Sequence, residues 1–414
     1  MSNLKRGLGV SVYEAARQRI KYAFDNFEKI YVSFSGGKDS SVMLHMVMTE
    51  AIARDRKVGV FIVDMEAQYS ATIEHIEEMI SLYESHIDLH WWCLPIALRN
   101  AVTNYEPQWL TWDTEKKDLW VRPLPKRGKT DPSEYPFYQP GLEFEELIVL
   151  FGDWYADGKS CACCIGIRAD ESLNRFRTIA SSRKKTHGGK IFTTQVTDTL
   201  FNLYPLYDWK TEDIWRFHTK YPDKAHNAVY DLMHKAGVPL SKQRLCQPYG
   251  DDQRRGLWLY HILEPQTWFR LILRVNGVNT GALYTQETGN VSGYNKISRP
   301  NGHTWKSFCY LLLKSLPKPT REHYVKRFRV FIKGWEGRGY KTIPDEAPKV
   351  LEDAYWAPSY RRLCKVLLRN DWWCKGLGMQ QPKSEAYQKF LQIKKQANEN
   401  ASNYEGQLSL GLEK

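Results

Sequence analysis

Residues 31–41 read YVSFSGGKDSS and combine three local signals. An apolar run over 30–34 stops at Ser35-Gly36-Gly37, and apolar residues at helical spacing begin at Val42. The pattern predicts a buried strand, a glycine turn and the start of a helix. Such a turn directs free backbone N–H groups and the positive end of the helix dipole at one point. The stretch therefore favours a site for a phosphate group.

This stretch supplies amide, hydroxyl and ammonium donors for an anion, and glycine lacks the Cβ atom that would keep an anion away from the backbone. The spacing excludes the Walker A loop, which has four residues between its first glycine and Gly-Lys-Ser/Thr. A tight strand–helix turn with an accidental serine and glycine content is the alternative. The candidate nucleotide-binding residues are Ser33, Ser35, Gly36, Gly37, Lys38, Asp39, Ser40 and Ser41.

The stretch resembles the SGGxDS pyrophosphate loop (PP-loop) of the N-type ATP pyrophosphatases. That superfamily includes the phosphoadenosine phosphosulfate (PAPS) reductases and the small subunit of sulfate adenylyltransferase. The resemblance implies an adenine nucleotide alpha hydrolase-like fold with an adenine nucleotide as ligand, either ATP with Mg²⁺ or a nucleotide like PAPS or adenosine phosphosulfate. It also implies catalytic roles for Lys38, Asp39 and, further along the chain, Arg168.

A second segment, DMEAQY at 64–69, resembles the Asp-Thr-Gly-x-x-Phe segment that relatives place near the adenosine. Asp64 and Tyr69 match it, and Asp64 is a candidate nucleotide-binding residue. Glu66 stands where the relatives have glycine, which implies a different substrate beside the nucleotide. An acid favoured by a helix N-terminus is the alternative for Glu66.

Two more segments follow in the family's order. The segment GIRADESLNR at 166–175 resembles G-x-R-x-x-E-S-x-x-R. The resemblance implies that Arg168 and Arg175 hold phosphates, a task that suits the planar guanidinium fork, and that Glu171 orients an arginine or a metal. A helix start with capping acids and solvated arginines is the alternative. The segment PLYDWKTEDIW at 205–215 resembles a run that relatives place after their last core strand.

Apolar periodicity predicts helices over 12–27, 42–54 and 72–83 and strands over 30–34, 60–63 and 87–92. This alternation predicts an α/β fold with a doubly wound parallel sheet, followed by a mostly α-helical, basic and aromatic-rich C-terminal region. We expect a nucleotide-binding domain over 1–221, with an insertion at 100–160 over the sheet edge. A helical domain over 222–380 and a final helix and tail over 381–414 complete the expected organisation.

Cys161, Cys163 and Cys164 form a tight group in the sequence, and Cys246 is a candidate fourth partner in space. Four thiolates would suit zinc or an iron–sulfur cluster. The spacing C-x-C-C is not the usual C-x-x-C ligand pair, so structural cysteines without a metal are the alternative.

The 414 residues carry a net charge of +12, and 254–375 alone holds 22 Lys and Arg against 9 Asp and Glu. This asymmetry favours a polyanionic partner such as nucleic acid, bound through 254–375, although a basic face without a partner is the alternative. In 321–341, aromatic residues alternate with cations, which fits either base stacking or an amphipathic helix with a buried face. Asp251, Asp252, Arg254 and Arg255 either reach the site or cap a helix.

No run of about 18 apolar residues occurs, so we expect no membrane span. The first residues lack an apolar stretch that ends in a cleavage site, so no signal peptide is expected. Eight cysteines in 414 residues do not form a disulfide framework, which favours a reduced, cytoplasmic setting.

The motif order over the whole chain resembles the PAPS-reductase-like proteins of the immunoglobulin-binding regulator A type, which implies a ParB-like partner. Three functions stay open at this point. The first is an enzyme that cleaves ATP between the α and β phosphates, activating an acceptor for chemistry linked to sulfur or nucleic acid. The second is a nucleotide-sensing regulator without turnover. The third, a PAPS reductase, is disfavoured because no Glu-Cys-Gly-x-His motif stands near the C-terminus.

Overall fold

The computed structural model describes residues 9–246, 249–250, 256–278 and 297–411. Six strands form one sheet in the order β3-β2-β1-β6-β8-β7, and β4 and β5 form a separate hairpin. The strands are β1 Lys29–Ser33, β2 Val58–Val63, β3 Ile87–Trp92, β4 Ala97–Arg99, β5 Gln108–Leu110, β6 Cys161–Ile165, β7 Thr193–Gln195 and β8 Leu200–Leu203. Asp251, Asp252, Arg254 and Arg255 lie outside the described residues.

Helices cover both faces of the sheet and make up most of the second half. They are α1 Val12–Asn26, α2 Lys38–Ala53, α3 Ser70–Tyr83, α4 Phe144–Ala156, α5 Leu173–Ala180, α6 Thr211–Lys220, α7 Val229–Lys235, α8 Leu257–Leu263, α9 Pro265–Arg274, α10 Trp305–Ser315, α11 Lys318–Glu336, α12 Lys349–Asp353, α13 Tyr360–Leu368 and α14 Glu385–Gly411. None of the helices in these ranges is both long and apolar enough to cross a bilayer.

The centre of the sheet is β1, which pairs in parallel with β2 on one side and β6 on the other. Only the short edge strand β7 runs antiparallel, to β8. Ser33 at the end of β1 pairs with Ile165 at the end of β6, so the loops after both strands leave the sheet at the same edge. Ligands bind at this edge in open α/β sheets. The predicted α/β fold with a parallel sheet is confirmed.

Two apolar cores lie on opposite faces of the sheet. Successive residues of a strand point to opposite faces, so Tyr31 joins one core and Val32 the other. The expected insertion at 100–160 is more than a cover for the sheet edge, because it contains α4. The ring of Phe151 on α4 stacks on Phe61 of β2, with centroids 3.6 Å apart. The insertion therefore builds part of the core on one face of the sheet.

The second half divides between two cores. Residues of α7, α8 and α9, such as Tyr230 and Leu271, pack into the core that also holds Tyr31. A third core gathers side chains from α10, α11 and α13. On α11 the aromatic residues face this core and are buried: Tyr324, Phe328, Phe331 and Trp335. Of the two interpretations of 321–341, the amphipathic helix with a buried face is therefore the correct one. The domain boundaries stay a prediction.

Three buried histidines, His45, His75 and His218, lie on or against α2 and α6 and couple stability to pH. Burial lowers the pKa of His75 to about 3 and those of His45 and His218 to about 4. The unfolded chain, with a histidine pKa of about 6.5, then binds more protons than the folded one between about pH 4 and pH 6.5. Their contribution to stability is complete above about pH 6.5 and is lost as the pH falls.

We therefore expect the free energy of unfolding to drop by about 2 kcal/mol per histidine between pH 7 and pH 5. Urea unfolding at both pH values measures this. His75→Gln, which keeps a donor for Ser41 and removes the titration, should lessen the drop by one histidine's share. His261→Gln, at an exposed position, is the control. Equal stability of the wild type at both pH values would contradict the prediction.

Candidate nucleotide-binding site

The glycine turn after β1 is held in a conformation that requires glycine at one position. Gly36 has a φ of +71°, and a Cβ there would lie 2.9 Å from Ile76 and 3.0 Å from Thr72 on α3. The hydroxyls of Ser35 and Ser40 lie 3.1 Å apart across the turn. A side chain at position 36 would thus be strained by both the backbone and its neighbours, which explains the first glycine of the loop.

The first turn of α2 faces open space at the sheet edge. The helix begins at Lys38 after Gly37, and no side chain caps it. Ser40 and Ser41 both donate to the carbonyl oxygen of Gly37, at 2.9 and 3.0 Å. The amide of Lys38 donates instead to the hydroxyl of Tyr230, at 3.1 Å. Tyr230, 192 positions away in the sequence, therefore accepts from a backbone amide that could otherwise donate to a phosphate oxygen.

Lys38 is only 4% exposed. Its ammonium donates to the carbonyl oxygen of Gln243 at 3.1 Å and pairs with Asp39 at 3.2 Å. The ring of Tyr230 lies 5.2 Å from the same nitrogen. Burial lowers the pKa of Lys38, and the carboxylate of Asp39 opposes that shift. These partners hold the side chain of Lys38 beside the glycine turn.

Arg168 lies behind Asp39 and pairs with it through its Nε. The guanidinium is 2% exposed, and its Nη1 has no hydrogen-bond partner. The backbone amide of Arg168 donates to Glu171 at 3.2 Å, and Glu171 also pairs with Arg175. The loop after β6 is thus bound to the loop after β1 through a buried ion pair.

Gly166, at the end of β6, lets the two loops approach each other. A Cβ there would lie 2.8 Å from the carbonyl oxygen of Asp39 and 3.0 Å from the Cα of Ser40. Because these are backbone atoms, no side-chain rotation can relieve the contact. The first turn of α2 and β6 must move apart to admit any larger residue.

We expect Gly166→Ala to lower the free energy of unfolding by about 1–3 kcal/mol and to weaken nucleotide binding, because overpacking displaces the first turn of α2. Urea unfolding and calorimetric titration with ATP measure the two effects. Gly334→Ala is the matched control, since its Cβ would meet nothing within 4 Å on α11, and alanine there should slightly stabilise the helix. A Gly166→Ala protein with unchanged stability and affinity would contradict the predicted contact.

These loops open onto one cavity of about 350 Å³ at the sheet edge. Its polar end holds Gly37, Lys38, Asp39, Ser40, Glu171 and Arg175, together with Arg244 from the second half. Its apolar end lies against α4 and the sheet and holds Tyr31, Phe61, Phe144, Ile148, Cys163 and Leu200. A cavity with one cationic and one apolar end fits a ligand that joins phosphates to an apolar ring.

Some predicted site residues lie away from this cavity. Ser33 and Ser35 line it, whereas Gly36 faces α3 and Ser41 is fully buried with its hydroxyl 2.7 Å from Nε2 of His75. Asp64 is also fully buried and accepts hydrogen bonds from Trp91 at 2.9 Å and Arg122 at 2.5 Å. Asp64 therefore stabilises the fold beside the site, with its carboxylate already used.

Glu66 is a buried structural anchor and does not line the cavity. Its carboxylate accepts two hydrogen bonds from Arg274, at 2.7 and 3.1 Å, and one each from the amides of Trp112 and Val121, at 2.7 and 3.1 Å. Its φ is +60°, in the region that favours glycine. Glutamate at this position therefore adopts a backbone conformation that glycine would adopt without strain. The structure also corrects the interpretation of Glu66 as an acid at a helix N-terminus, because α3 begins at Ser70.

The cysteine group does not converge on a metal position. Cys161, Cys163 and Cys164 belong to the central strand β6, so Cys161 and Cys163 lie in one core and Cys164 in the other. Burial raises the pKa of Cys163 to about 12 and also raises the pKa values of Cys161 and Cys164. Cys246 lines the cavity with Cys163.

Within the described ranges, no three His, Cys, Asp or Glu residues are grouped to hold a metal ion. The predicted four-cysteine zinc or iron–sulfur site therefore does not fit this arrangement.

Four residues at the site were missed by sequence reasoning: Asn227, Tyr230, Gln243 and Arg244. Asn227 donates to the carbonyl oxygen of Gly36 at 2.9 Å and to Thr72 at 3.0 Å. Asn227 precedes the short helix α7, Tyr230 lies in it, and Gln243 and Arg244 follow it. All four residues are about 200 positions beyond the loop, and no local pattern marks them. Only the fold brings them to the glycine turn.

The sheet, the glycine turn and the cavity define a nucleotide-binding α/β protein. The chain belongs to the phosphoadenosine phosphosulfate reductase domain family, whose sequence profile matches residues 29–237. Residues 237–356 match a second profile, described as a domain of unknown function, DUF3440. The uncharacterized protein YbdN of Escherichia coli K12 is 39% identical over 393 residues, which cover 94% of this chain and 96% of that protein. The predicted superfamily is confirmed.

Several solved structures are similar to this chain at low identity and low TM-score. A PAPS reductase from Candida auris in a phosphate complex is 12% identical, with a TM-score of 0.31, and covers 56% of this chain and 94% of its own. Yeast FAD synthetase in complex with FAD is 16% identical, with a TM-score of 0.32, and the match covers 55% of this chain and 65% of that chain. The U34-tRNA thiolase NcsA from Methanococcus maripaludis, with its [4Fe-4S] cluster, is 10% identical, with a TM-score of 0.28, and covers 69% and 86%.

Proposed function

We propose that this protein binds ATP in the cavity and cleaves it between the α and β phosphates to adenylate an acceptor. The observation that carries the proposal is the convergence of the loop donors, Lys38 and Arg175 on one cavity with an apolar far end. The cationic end suits the triphosphate, and the apolar end has room for the adenine ring. The family membership supports a nucleotide as the ligand.

In the proposed reaction, a nucleophilic atom of the acceptor bonds to the α-phosphorus. The bond from that phosphorus to the oxygen bridging the α and β phosphates breaks, and its electron pair leaves with pyrophosphate. The acceptor proton passes to water. Lys38 and Arg175 stabilise the charge on the leaving pyrophosphate, and the loop amides orient the triphosphate. Arg168 holds Asp39 in place through the buried ion pair.

The residues at the cavity fit Mg²⁺ as a companion of ATP. Asp39 and Glu171 are carboxylates that line it, and Mg²⁺ is usually held by one or two carboxylates together with substrate phosphates. When bound, the ion supplies neutralisation of phosphate charge. The chain's own contribution is to place those oxygens beside Lys38 and Arg175.

Pyrophosphate release from ATP in the presence of Mg²⁺ tests the proposal, with free RNA, DNA fragments and acidic proteins as candidate acceptors. The products should be AMP-linked acceptor and pyrophosphate, and mass spectrometry separates these from ADP and phosphate. Asp39→Ala and Arg168→Ala should both reduce the release. Unchanged release in both variants would overturn the proposal.

A nucleotide-sensing regulator is the second candidate, favoured by one observation. The glycine turn is hydrogen-bonded to Asn227 and Tyr230, which lie on the connection to the helical second half. A nucleotide that displaces the Tyr230 hydroxyl would alter that connection. Tight ATP binding without any product, and with a change in partner affinity, supports this candidate. Turnover of ATP would exclude it.

A PAPS reductase remains the third candidate. The last cysteines, Cys364 and Cys374, are buried in the third core, and burial raises the pKa of Cys374 to about 12. Neither is therefore placed as an exposed nucleophile. Thioredoxin-dependent release of sulfite from PAPS would establish the reductase.

For partners, the resemblance in sequence supports a ParB-like protein, and co-purification with such a protein tests it. The charge of 254–375 supports a nucleic acid. On α11, Lys326, Arg329 and Lys333 are exposed, whereas the aromatic residues are buried. Binding would thus be electrostatic and weaken steeply with salt. Titration of labelled DNA at two salt concentrations tests this, and an affinity that salt leaves unchanged would contradict it.

A further inference from the structure

We propose that Arg244 binds the distal phosphates of the nucleotide, so that the second half of the chain completes the phosphate site. This inference rests on the proposed function, because it names a residue that holds the ligand at the same cavity. Arg244 lies outside the segment that matches the nucleotide-binding family and inside the segment that matches DUF3440. Neither profile assigns it a role.

The position of Arg244 follows from the residue before it. Gln243 is 1% exposed, and its side-chain amide donates to the carbonyl oxygen of Val238 at 2.9 Å. Its own carbonyl oxygen accepts from the ammonium of Lys38 at 3.1 Å. The backbone at this point is therefore fixed against the glycine turn. Arg244, Leu245 and Cys246 continue along the cavity wall.

The charges at the polar end leave Arg244 available for a ligand. Arg168 and Lys38 share the carboxylate of Asp39, and Arg175 pairs with Glu171. Arg244 makes no ion pair with a carboxylate among the described residues, and it is half-buried at the cavity wall. Its positive charge acts on Lys38 and Arg175, and it contributes to the lowering of both pKa values.

The polar end of the cavity carries a surplus of positive charge. Among the described residues, Lys38, Arg175 and Arg244 line it together with only two carboxylates, Asp39 and Glu171, and Asp39 is also shared with Arg168. Like charges at close range repel, and a partly buried site screens them poorly. A polyphosphate chain removes this repulsion, and a guanidinium can bind two of its oxygens at once. This grouping of cations is therefore stabilised when the ligand carries several phosphates. A ligand with one phosphate close to the loop would gain little from Arg244.

Calorimetric titrations with ATP, AMP and inorganic pyrophosphate test this in the full chain. The proteins are the wild type, Arg244→Ala, Arg244→Lys and the matched control Lys242→Ala, which removes an exposed charge two residues away. Arg244→Ala should weaken ATP and pyrophosphate about tenfold or more and leave AMP within about twofold. Arg244→Lys should recover part of the loss, since it keeps the charge without the fork. Lys242→Ala should change all three affinities less than about twofold.

Equal losses for ATP and AMP would overturn the inference and indicate a structural role, as would an Arg244→Ala protein that binds ATP like the Lys242→Ala control. If the wild type binds pyrophosphate in an Arg244-dependent way but binds neither ATP nor AMP, the inference stands and the proposed adenine nucleotide is wrong. If the wild type binds none of the three, both are overturned. Should Arg244→Ala fail to fold, Arg244→Lys decides by the same comparison of ATP with AMP.

Discussion

Replacing Lys38 by alanine is expected to slow pyrophosphate release from ATP at least ~100-fold while the chain stays folded. Lys38 lines the cavity at the first turn of α2, where the triphosphate is proposed to lie. Removing one preorganised donor from a developing charge costs about this much in other enzymes. The fold should survive, because two interactions do not depend on the Lys38 side chain. Asp39 still pairs with Arg168, and the backbone amide at position 38 still donates to the Tyr230 hydroxyl.

The measurement is the rate of pyrophosphate release, paired with urea unfolding of each protein. Lys57→Ala is the control, since Lys57 is exposed just before β2 and lines a different part of the surface. Lys38→Arg adds a second comparison, because it retains the charge in a longer, planar group. If the Lys38→Ala protein were as active as the wild type, Lys38 would have no role in the reaction. A protein that has lost its fold would show that its bonds to Gln243 and Asp39 are structural.

Much of the fold could be predicted from short-range patterns of apolar residues in the sequence. Apolar runs before 35 and after 57, separated by helical periodicity, predict β1, α2 and β2 with ends that differ from the structure by a few residues. These elements are set by neighbours in the sequence, so local rules suffice. The strand β6 was not predicted, because Cys161, Cys163 and Cys164 were considered as metal ligands or structural cysteines and not as residues of a strand. Buried cysteines behave as small apolar residues, and here they fill both faces of a central strand.

The candidate site could be predicted from the sequence only in part, because only some of its residues are neighbours in the sequence. The glycine turn is local, and its pattern identifies it. Tyr230 and Arg244 reach the turn from about 200 positions away, and nothing near them in sequence marks a phosphate site. Glu66 shows the opposite error: its acidic side chain beside a nucleotide motif pointed to the substrate. Its partner, Arg274, lies 208 positions away, so the sequence had no means of revealing the ion pair.

Glu66→Gln is expected to lower the free energy of unfolding by about 3–5 kcal/mol, because it leaves the Arg274 guanidinium buried without its counter-charge. The two side chains are 0% and 1% exposed. The carboxylate also accepts from the amides of Trp112 and Val121, which connects the insertion to the loop after β2. An exposed pair gives the matched control: Glu346, paired with Arg361, has a side chain 59% exposed. Glu346→Gln should cost less than about 1 kcal/mol.

A double variant separates the ion pair from the backbone strain at position 66. Glycine tolerates the φ of +60° that Glu66 adopts, so Glu66→Gly with Arg274→Met removes both the strain and the unpaired charge. We expect urea unfolding to show that the double variant loses less stability than the sum of the two single variants, because each single variant leaves one buried charge unpaired and the double variant leaves none. Stability that falls additively in the double variant would contradict a shared ion pair. A Glu66→Gln protein of unchanged stability that no longer binds ATP would instead make Glu66 a ligand, and the structural role argued for it would be wrong.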